Sequence, residues 1–366
     1  MQFNLYIFRQ LLRNTLSLLF VLMSIIWLFQ TIRILELVVN RGANLSEFLI
    51  MSVASMPLWL MIAVPISGFI AINWVFNRIL ADRELLVMQS VGLSPLQLAK
   101  APIFLGVLLT GFLALNSAYI LPTSFGIYKD LQFKLRNSIP DILLRDGVFI
   151  DVLDGMTMFI GERGKDSVLR DIFIHDARDK NRTITLTANN GKFIETAAVP
   201  TLALQNGERS ERTASGKNGA VLLFETHSVK LLKTNDNPTE RNAVDMNEDT
   251  ITNLLSADKA TSKTYYLQRH AEGHYRIASP LLGFALVFLS TAIILRGQVR
   301  RDIWSRRIFS NVAACVIVII FVVVTRSLAS NIFELWPLIY LTVAAPILFS
   351  FWLMRSRPVP TSVVAT

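Results

Sequence analysis

Six long apolar stretches constrain this chain more than any other feature, because each is long enough to cross a lipid bilayer. About 20 apolar residues span the roughly 30 Å hydrocarbon core, and a segment inside that core must be helical to satisfy its backbone hydrogen bonds. The predicted spans are Thr15–Leu37, Phe48–Phe76, Pro102–Leu121, Ile277–Leu295, Ile308–Thr325 and Leu335–Met354. Three spans precede and three follow one polar insert. The sequence therefore predicts an α-helical membrane protein with six transmembrane helices in a 3+3 arrangement.

Composition and charge support this interpretation and predict an orientation. Hydrophobic residues make up 52% of the 366 residues, an excess that suits lipid contact. The net charge of +9 comes from arginines that cluster beside the predicted spans, which argues against nucleic acid as a partner. The clusters that fall on one side are Arg9 with Arg13, Arg296 to Arg307, and Arg355 with Arg357. The positive-inside rule then predicts cytoplasmic termini and an insert on the outer side of the membrane, which would be the periplasm in a Gram-negative cell. The first span is predicted to be a permanent anchor.

The insert has the pattern of an all-β domain. Short runs alternate apolar and polar residues and are separated by turn residues such as Asp154-Gly155 and Asn206-Gly207. The predicted strands are Val148–Val152, Met156–Gly161, Asp171–His175, Thr183–Thr187, Thr201–Leu204 and Val221–Leu223 with Val229–Leu231. Strands without intervening helices predict an antiparallel sandwich or jelly roll, followed by a polar loop over Thr234–Ala243. The residues predicted to face its interior are Phe149, Ile160, Phe173, Leu186, Leu204 and Phe224.

These observations predict three regions. Residues 1–122 hold spans one to three, with a cytoplasmic helix at about 79–93. Residues 123–250 form the periplasmic jelly roll, and residues 251–366 hold linker helices and spans four to six.

Motifs for catalysis and metal binding are absent from the sequence. No Gly-Lys pair is followed by the Ser or Thr of a phosphate loop, and no G-x-S-x-G elbow occurs. The run His270-Ala-Glu-Gly-His274 lacks the H-E-x-x-H order of a zinc protease, so a structural polar cluster is the favoured interpretation over zinc. Cys315 has no second cysteine and suits apolar packing. We therefore expect no catalytic residue, no metal and no cofactor in this chain.

The segment between the second and third spans predicts a docking helix. Arg83 to Ser90 is amphipathic, and Gly92 is placed to end the helix. Leu85, Met88 and Val87 would face a groove on a partner while Glu84 offers a carboxylate to a basic residue there. The alternative is a surface helix lying against the bilayer.

Several motifs together resemble one family. They are R-E-L-x-V-M-x-x-x-G-L-S from Arg83 to Ser94, E-x-H-x-R from Glu272 to Arg276, and insert segments at 147–149, 169–174 and 202–207. With the 3+3 layout, the chain resembles the LptF/LptG lipopolysaccharide-export permeases over nearly its whole length. The segment Gln30 to Leu35 resembles the F member more than the G member.

The resemblance implies a permease subunit of an ABC exporter that takes lipopolysaccharide from the outer leaflet of the inner membrane. The implied partners are a homologous LptG-like permease, a cytoplasmic LptB-like ATPase dimer that binds ATP-Mg, a bitopic LptC-like jelly-roll protein and an LptA-like periplasmic bridge. Contact with the ATPase would be made by Arg83, Glu84, Leu85 and Met88.

Lipid contacts follow from the same expectation. Phosphates at the outer surface of the inner membrane call for arginine, which contacts them bidentately, and apolar walls would hold the acyl chains. The candidate cations are Arg33, Arg41 and Arg326, and the candidate wall residues are Trp27, Phe29, Leu37 and Phe321. The alternative for these arginines is snorkelling to lipid headgroups or pairing with Glu36 and Glu334.

Two other classes of function remain open at this point. One is a permease of another lipid- or lipoprotein-exporting ABC system, although the lipoprotein type places its insert after the first of four spans. The other is a membrane-anchored periplasmic sensor or interaction protein. An enzyme is disfavoured, because Glu36, Glu47 and Glu334 are too scattered for acid–base chemistry.

Overall fold

The computed structural model describes most of the chain. The described residues are 2–41, 44–90, 92–137, 146–153, 155–164, 168–179, 182–196, 199–213, 218–230, 244–256, 262–296 and 304–355. The predicted loop Thr234–Ala243 lies outside the described residues. So do the side chains of residues 36–41, which include Leu37 and Arg41.

Twelve α-helices occur in the described part of the chain. They are α1 Gln2–Arg41, α2 Leu45–Ala54, α3 Met56–Ala81, α4 Glu84–Ser90, α5 Pro95–Leu98, α6 Lys100–Leu115, α7 Leu121–Asn137, α8 Ile251–Leu255, α9 Lys263–Ala278, α10 Leu281–Arg296, α11 Trp304–Ala329 and α12 Trp336–Arg355. A π-helical turn, Asn116–Ile120, joins α6 to α7, and a 3-10 turn, Phe333–Leu335, precedes α12.

Five of these helical segments are long and apolar enough to cross a membrane. They are Asn4–Leu35, Leu45–Ala81, Lys100–Leu135, Arg307–Ala329 and Phe333–Arg355. A sixth crossing exists if α9 and α10, which are bent by 50° at the break between them, are counted as one span. The predicted fourth span is therefore mainly α10, whose 16 residues are short for a crossing on their own. The chain is a multi-pass helical membrane protein.

The described chain forms two compact units. The first comprises residues 1–30, 52–127 and 245–366, and the second comprises residues 31–51 and 128–244. The core of the first unit is built from α3, α6, α10 and α12, with Ile7 and Leu11 of α1 and Leu85 of α4 packed into it. This unit therefore holds most of the apolar helices together with the short helix that follows α3.

The second unit contains a six-stranded antiparallel sheet, which confirms the predicted all-β domain. The strands are β1 Phe149–Leu153, β2 Met156–Arg163, β3 Val168–Asp179, β4 Arg182–Thr196, β5 Val199–Thr213 and β6 Asn218–Lys230. Each strand pairs with the next in sequence, so the sheet is a meander with β1 and β6 at its edges.

One line of unpaired positions crosses the sheet perpendicular to the strands. The register between neighbouring strands is unchanged on either side of this line, yet the residues on it form no pairs. The line, which we call the crease, consists of Gly161, Asp171, Asn189, Asn206 and Glu225. Asp171 and Asn206 have left-handed backbones with φ of 53° and 55°, which Asp and Asn adopt more readily than other residues with a side chain. Each of the strands β2 to β6 is thus divided into two arms, whereas β1 lies entirely on one side of the crease.

Burial changes phase at the crease. In β4, Leu186 and Ala188 are buried before it and Gly191 after it, and in β6 Phe224 is half-buried before it and Val229 buried after it. Alternate residues of a strand face opposite sides. If the alternation of buried and exposed residues had continued unchanged across the crease, the apolar side chains of one arm would have faced away from the core. Residues of both arms instead form one apolar core, so the sheet folds along the crease and encloses it.

The predicted interior of this domain is correct for one group of residues and wrong for another. Ile160, Leu186 and Leu204 lie in the core, and Phe224 packs against it. Phe149 and Phe173 do not. They contact each other on the opposite face, with ring centroids 6.1 Å apart, and Phe149 is 64% exposed. The reason is the two-residue period, which puts Phe173 on the side opposite its buried neighbours on the strand.

The strand boundaries also differ from the prediction. The Asn206-Gly207 pair, predicted as a turn, lies within β5 on the crease, and Val221–Leu223 and Val229 belong to one strand. A Cβ atom at position 207 would lie 2.2 Å from the carbonyl oxygen of Thr187 and 2.5 Å from the Phe224 ring. Glycine is required there because two strands and an aromatic ring meet at the fold of the sheet.

An ion pair near the β3–β4 hairpin predicts acid sensitivity. Arg178 donates from Nε to Asp176 at 2.8 Å, and both side chains are mostly buried. The hydrogen bond from Arg178 is the main reason that the pKa of Asp176 lies below its usual range. A lowered carboxyl pKa stabilises the folded state above the unfolded pKa of about 4, and this stability is lost as the pH falls through the folded value. We expect Asp176→Asn to lower the free energy of local unfolding of the β3–β4 region by about 1–2 kcal/mol at pH 6.

The measurement is hydrogen exchange of the β3 and β4 amides in the intact protein, corrected for the intrinsic exchange rate at each pH and followed from pH 6 to about pH 2, because the contribution of Asp176 is lost only below its unfolded pKa. The amides of the wild type should lose protection over this interval. Those of Asp176→Asn should have lower protection at pH 6 and should lose less of it as the pH falls. Asp179→Asn is the matched control, because Asp179 pairs with Arg182 at 3.0 Å but both side chains are about half exposed. Equal effects from the two substitutions would rule out the Asp176 pair as the source.

Candidate functional site

The joint between α3 and α4 has an unusual backbone. The amide of Asp82 donates to the carbonyl of Arg78, which ends α3, and Arg83 then adopts a left-handed φ of 58°. This conformation costs an arginine about 1–2 kcal/mol, so surrounding contacts must hold it in place. The direction of α4 relative to α3 is therefore fixed by the backbone itself.

The short helix α4 has one anchored side and one free side. Leu85 is 2% exposed within the core of the first unit, and Met88 packs against the same core. Arg83, Glu84 and Val87 are exposed. The prediction that Leu85 faces a partner groove is therefore wrong, because its side chain holds α4 on the bundle. Among the side chains that the structure describes in this segment, those available to a partner are Arg83, Glu84, Val87 and Ser90.

An apolar groove of about 690 Å³ lies between α10, α11 and α12. Phe321, a predicted wall residue, lines it together with residues such as Leu289, Leu341 and Phe349. The hydroxyl groups of Thr325 and Thr342 also border the groove, but both donate to backbone carbonyls of their own helices at 2.7 Å. The groove consequently offers no unsatisfied donor at these positions and suits a hydrocarbon chain.

Helix α1 is barely covered by the rest of the chain. Only 6% of the most apolar 18-residue stretch of this helix is buried, and the predicted wall residues Trp27 and Phe29 are both exposed. Arg33 is exposed as well. Trp27 and Phe29 belong to the first unit and Arg33 to the second. Such a long exposed apolar helix requires lipid or another protein against it.

Charged side chains form a cluster around α9. Arg276 is 1% exposed, and it donates to the backbone carbonyls of Asp249 at 2.7 Å and Met246 at 2.6 Å. Its Nε lies 3.4 Å from Oε1 of Glu272, and Arg269 pairs with the carboxylate of Asp249. Buried charges are tolerated only when they are paired and hydrogen-bonded. The charge cluster, as we call it, ties the segment after the β domain to α9.

Arg326 of α11 joins the charge cluster from outside. Its Nη2 lies 2.5 Å from Oε2 of Glu272, and its guanidinium stands 4.4 Å above the Tyr275 ring. The alternative predicted for Arg326, pairing with Glu334, is not observed. The members of the charge cluster are Asp249, Arg269, Glu272, Arg276 and Arg326.

The two histidines of α9 pack against aromatic rings. His274 stacks on Trp336 with centroids 4.4 Å apart, and its Nδ1 is 3.0 Å from the Tyr340 hydroxyl. His270 contacts Tyr266, with centroids 4.6 Å apart. No group of three possible metal ligands occurs among the described residues. The geometry is that of an aromatic contact between α9 and α12.

Three polar side chains link α3, α10 and α11. Asn311 Nδ2 donates to Asn73 Oδ1 at 2.7 Å and to Ser290 Oγ at 2.9 Å, and Asn73 Nδ2 donates to Ser290 Oγ at 3.1 Å. Asn311 and Ser290 are fully buried. Polar groups inside a membrane span are expensive, so this amide network fixes the relative position of the three helices. Helix α3 leads directly into α4, which places the network on the route from α4 to α11.

The amide network was not predicted from the sequence, and the pairing pattern of the charge cluster was not predicted either, although a polar cluster near His270–His274 was predicted and Arg326 was a candidate cation. The E-x-H-x-R motif pointed to Glu272 and Arg276 without their partners, since Asp249 and Arg326 lie far away in sequence. Asn73 and Asn311 stood inside predicted spans, where a polar residue is itself a signal of function.

Comparison with known proteins gives a consistent result. The model of the family described as lipopolysaccharide export system permease LptF/LptG matches residues 5–356. An uncharacterized protein of Rickettsia prowazekii (strain Madrid E) is 26% identical over 293 residues, which are 80% of this chain and 81% of that protein. The lipopolysaccharide export system permease protein LptF of Escherichia coli (strain K12) is 23% identical over 227 residues, covering 61% of this chain and 62% of that protein.

Proposed function

Because this chain belongs to the LptF/LptG family of lipopolysaccharide export permeases, we propose that it is the LptF-like subunit of an ABC exporter. Its substrate would be lipopolysaccharide taken from the outer leaflet of the inner membrane. The observation that carries this proposal is the family match over residues 5–356, which covers the helices on both sides of the β domain. Members of this family are non-catalytic transport subunits, so a separate ATPase has to supply the energy.

The exposed side of α4 supports a contact with that ATPase. Glu84 and Val87 project from a helix whose other side is anchored by Leu85. A carboxylate beside an apolar residue suits a basic, partly apolar groove on a cytoplasmic ATPase dimer. Movement of the ATPase would then reach α3 through the rigid joint at Arg83, and α11 through the amide network.

The substrate contacts we propose combine exposed arginines with apolar surfaces. Arg33 and Arg326 are exposed and would bind phosphates of the lipid, while Phe321 in the groove and Trp27 and Phe29 on α1 would contact acyl chains. The exposed surface of α1 also suits a second, LptG-like permease, so that the two chains share a lipid cavity.

The β domain would continue the path. We propose that both termini are cytoplasmic and that the β domain lies in the periplasm, as the arginine distribution predicts. The edge strand β6 exposes Val221, Leu222 and Leu223, with Leu223 at 80%. An apolar edge of this kind favours strand addition by a neighbouring LptC-like domain and, through it, an LptA-like bridge.

The experiment that tests the function is purification of the complex from membranes in mild detergent, followed by mass spectrometry of the bound proteins and lipids. Recovery of a second permease, an ATPase and lipopolysaccharide is the expected result. Recovery of an unrelated ATPase without lipopolysaccharide would indicate that the chain is part of a different exporter of lipid or lipoprotein.

Charge reversal at Arg33 tests the contact with phosphate. We expect Arg33→Glu to weaken binding of phosphorylated lipid A roughly 10-fold, because an attractive charge-assisted hydrogen bond becomes a repulsion. Binding of dephosphorylated lipid A to the same purified complex should change little. Arg33→Lys, which keeps the charge but loses the bidentate geometry, should fall between them. An equal loss for both lipids would mean that Arg33 has a structural role.

A further inference from the structure

The charge cluster holds more positive than negative charge. Among the described residues, its ion-paired groups are three guanidinium groups and two carboxylates, which leaves a surplus of one positive charge. Arginine does not lose its proton in proteins, so the surplus cannot be removed by titration. Arg276 and Arg269 are buried, whereas the side chain of Arg326 is 47% exposed. The surplus charge is therefore accessible to an anion only at Arg326.

Glu272 divides its carboxylate between two arginines that depend on it unequally. Arg276 has two further acceptors, the carbonyls of Asp249 and Met246, at 2.7 and 2.6 Å. Among the described residues, the only carboxylate paired with Arg326 is that of Glu272, at 2.5 Å. If this pair opens, Glu272 keeps Arg276 as its partner and Arg326 keeps the Tyr275 ring. The Glu272–Arg326 pair is the part of the cluster that can open without leaving a buried charge alone.

The same pair joins two helices. Glu272 belongs to α9, which the cluster ties to the segment after the β domain, and Arg326 lies near the end of α11. The other polar attachment of α11 described above is at Asn311, about 22 Å away at 1.5 Å per residue. Opening of the Glu272–Arg326 pair would remove the polar attachment of this end of α11 and leave the attachment at Asn311 in place. Val322 and Ala329 of α11 would still share a buried apolar cluster with Ala271 and Ala278 of α9, so the helix could shift but would not detach.

We propose that Glu272 is an internal competitor for Arg326, and that a phosphate-bearing lipid binds by displacing it and thereby breaks the ion pair that joins α11 to α9. This inference rests on the function proposed above, in which Arg326 binds phosphate. A phosphate carries more charge than a carboxylate and offers three acceptor oxygens, so it can replace Glu272 at an exposed guanidinium. The two states are the closed and the open Glu272–Arg326 pair. The lipid shifts the equilibrium toward the open state because its phosphate binds Arg326 only when the pair is open.

Binding of lipid to the purified complex in nanodiscs tests the competition. The probes are lipid A with both phosphates and lipid A from which the phosphates have been removed. Glu272→Gln should tighten binding of the phosphorylated probe about 5- to 10-fold, because Arg326 no longer has a competing anion. It should leave the dephosphorylated probe unchanged. Glu334→Gln is the matched control, since this exposed carboxylate on the neighbouring 3-10 turn is not paired with Arg326.

A second variant covers a failure of Glu272→Gln to assemble. Glu272→Asp keeps the negative charge but draws the carboxylate back by one methylene, which weakens its hold on Arg326 without removing it, so a smaller tightening is expected. Unchanged or weaker binding in a correctly assembled variant would overturn the proposal. If wild type itself shows no preference for the phosphorylated probe, the phosphate contact under the proposed function fails as well.

Distances between spin labels test whether α11 shifts when the pair opens. Labels at Gln268 of α9 and Ser327 of α11, both exposed, report on the two helices once Cys315 has been replaced. Phosphorylated lipid A should change the distance in wild type by about 1–2 Å, the usual size of a helix shift. Glu272→Gln should show the shifted distance without lipid. An identical distance in wild type with and without lipid and in Glu272→Gln without lipid would contradict a shift of α11 when the pair opens.

Discussion

Replacing Glu84 by alanine is expected to separate ATP hydrolysis from lipid release while the protein stays folded. The Glu84 side chain is exposed, and α4 is held on the bundle by the buried Leu85, so the substitution removes no core contact. Loss of one member of a charge pair at an interface costs about 2–5 kcal/mol. We therefore expect at least a roughly 10-fold drop in lipopolysaccharide released per ATP hydrolysed by the reconstituted complex.

Asp82→Ala is the matched control for this experiment. Asp82 is an exposed carboxylate two residues before Glu84, on the other side of the Arg83 joint, and its nearest cation is Arg78 at 3.8 Å. Its removal should leave the ratio of lipid released to ATP hydrolysed close to that of wild type. A normal ratio in Glu84→Ala would remove the assignment of α4 as the coupling helix.

The largest loss of stability is expected from Arg276→Met. This substitution leaves two backbone carbonyls without their donor and takes a cation away from the buried Glu272. Breaking a buried ion pair by removing one member costs about 3–5 kcal/mol. Thermal unfolding of the complex in detergent should show a clear decrease in Tm, and the segment around Met246 should lose protection from hydrogen exchange.

A double substitution shows how much of the stability lost in Arg276→Met comes from the charge of Glu272. Glu272→Gln in the Arg276→Met background removes a buried carboxylate that has lost one of its two arginine partners and keeps only Arg326, so part of the lost stability should return. Arg276→Lys keeps the charge but not the fork of donors, and should lie between wild type and Arg276→Met. Additive losses in the double variant would show that Glu272 and Arg276 act independently.

The strand predictions show how far a sequence pattern reaches in this fold. The predicted strand Met156–Gly161 ends on the crease, Asp171–His175 begins on it, and Thr183–Thr187 and Thr201–Leu204 both end two residues before it. Each is a single arm of a longer strand. The period-two pattern is local, and it breaks where the phase changes at the crease. Recognising that the two arms belong to one strand requires the pairing of neighbouring strands, which no local pattern contains.

The candidate site was predictable to a different extent. Composition and hydropathy were sufficient for the apolar helices, and an amphipathic pattern was sufficient for α4. The same pattern could not say which side of α4 is buried, because Leu85 suits the chain's own core as well as a partner. The charge cluster joins residues from Asp249 to Arg326, and only the folded chain brings those charges together.

The crease also determines how another strand can be added to the sheet. A strand that pairs along the whole of β6 has to change the phase of its own side chains at the level of Glu225, where β6 changes phase. If the added strand were shifted by two residues along β6, its apolar side chains would still face inward on one arm. Its own change of side would no longer coincide with the bend at Glu225. A flat sheet edge tolerates such sliding, whereas a bent edge accepts one alignment. If a neighbouring domain adds a strand here, as proposed above, the bend would determine its alignment and would favour partners whose strands carry a matching bend.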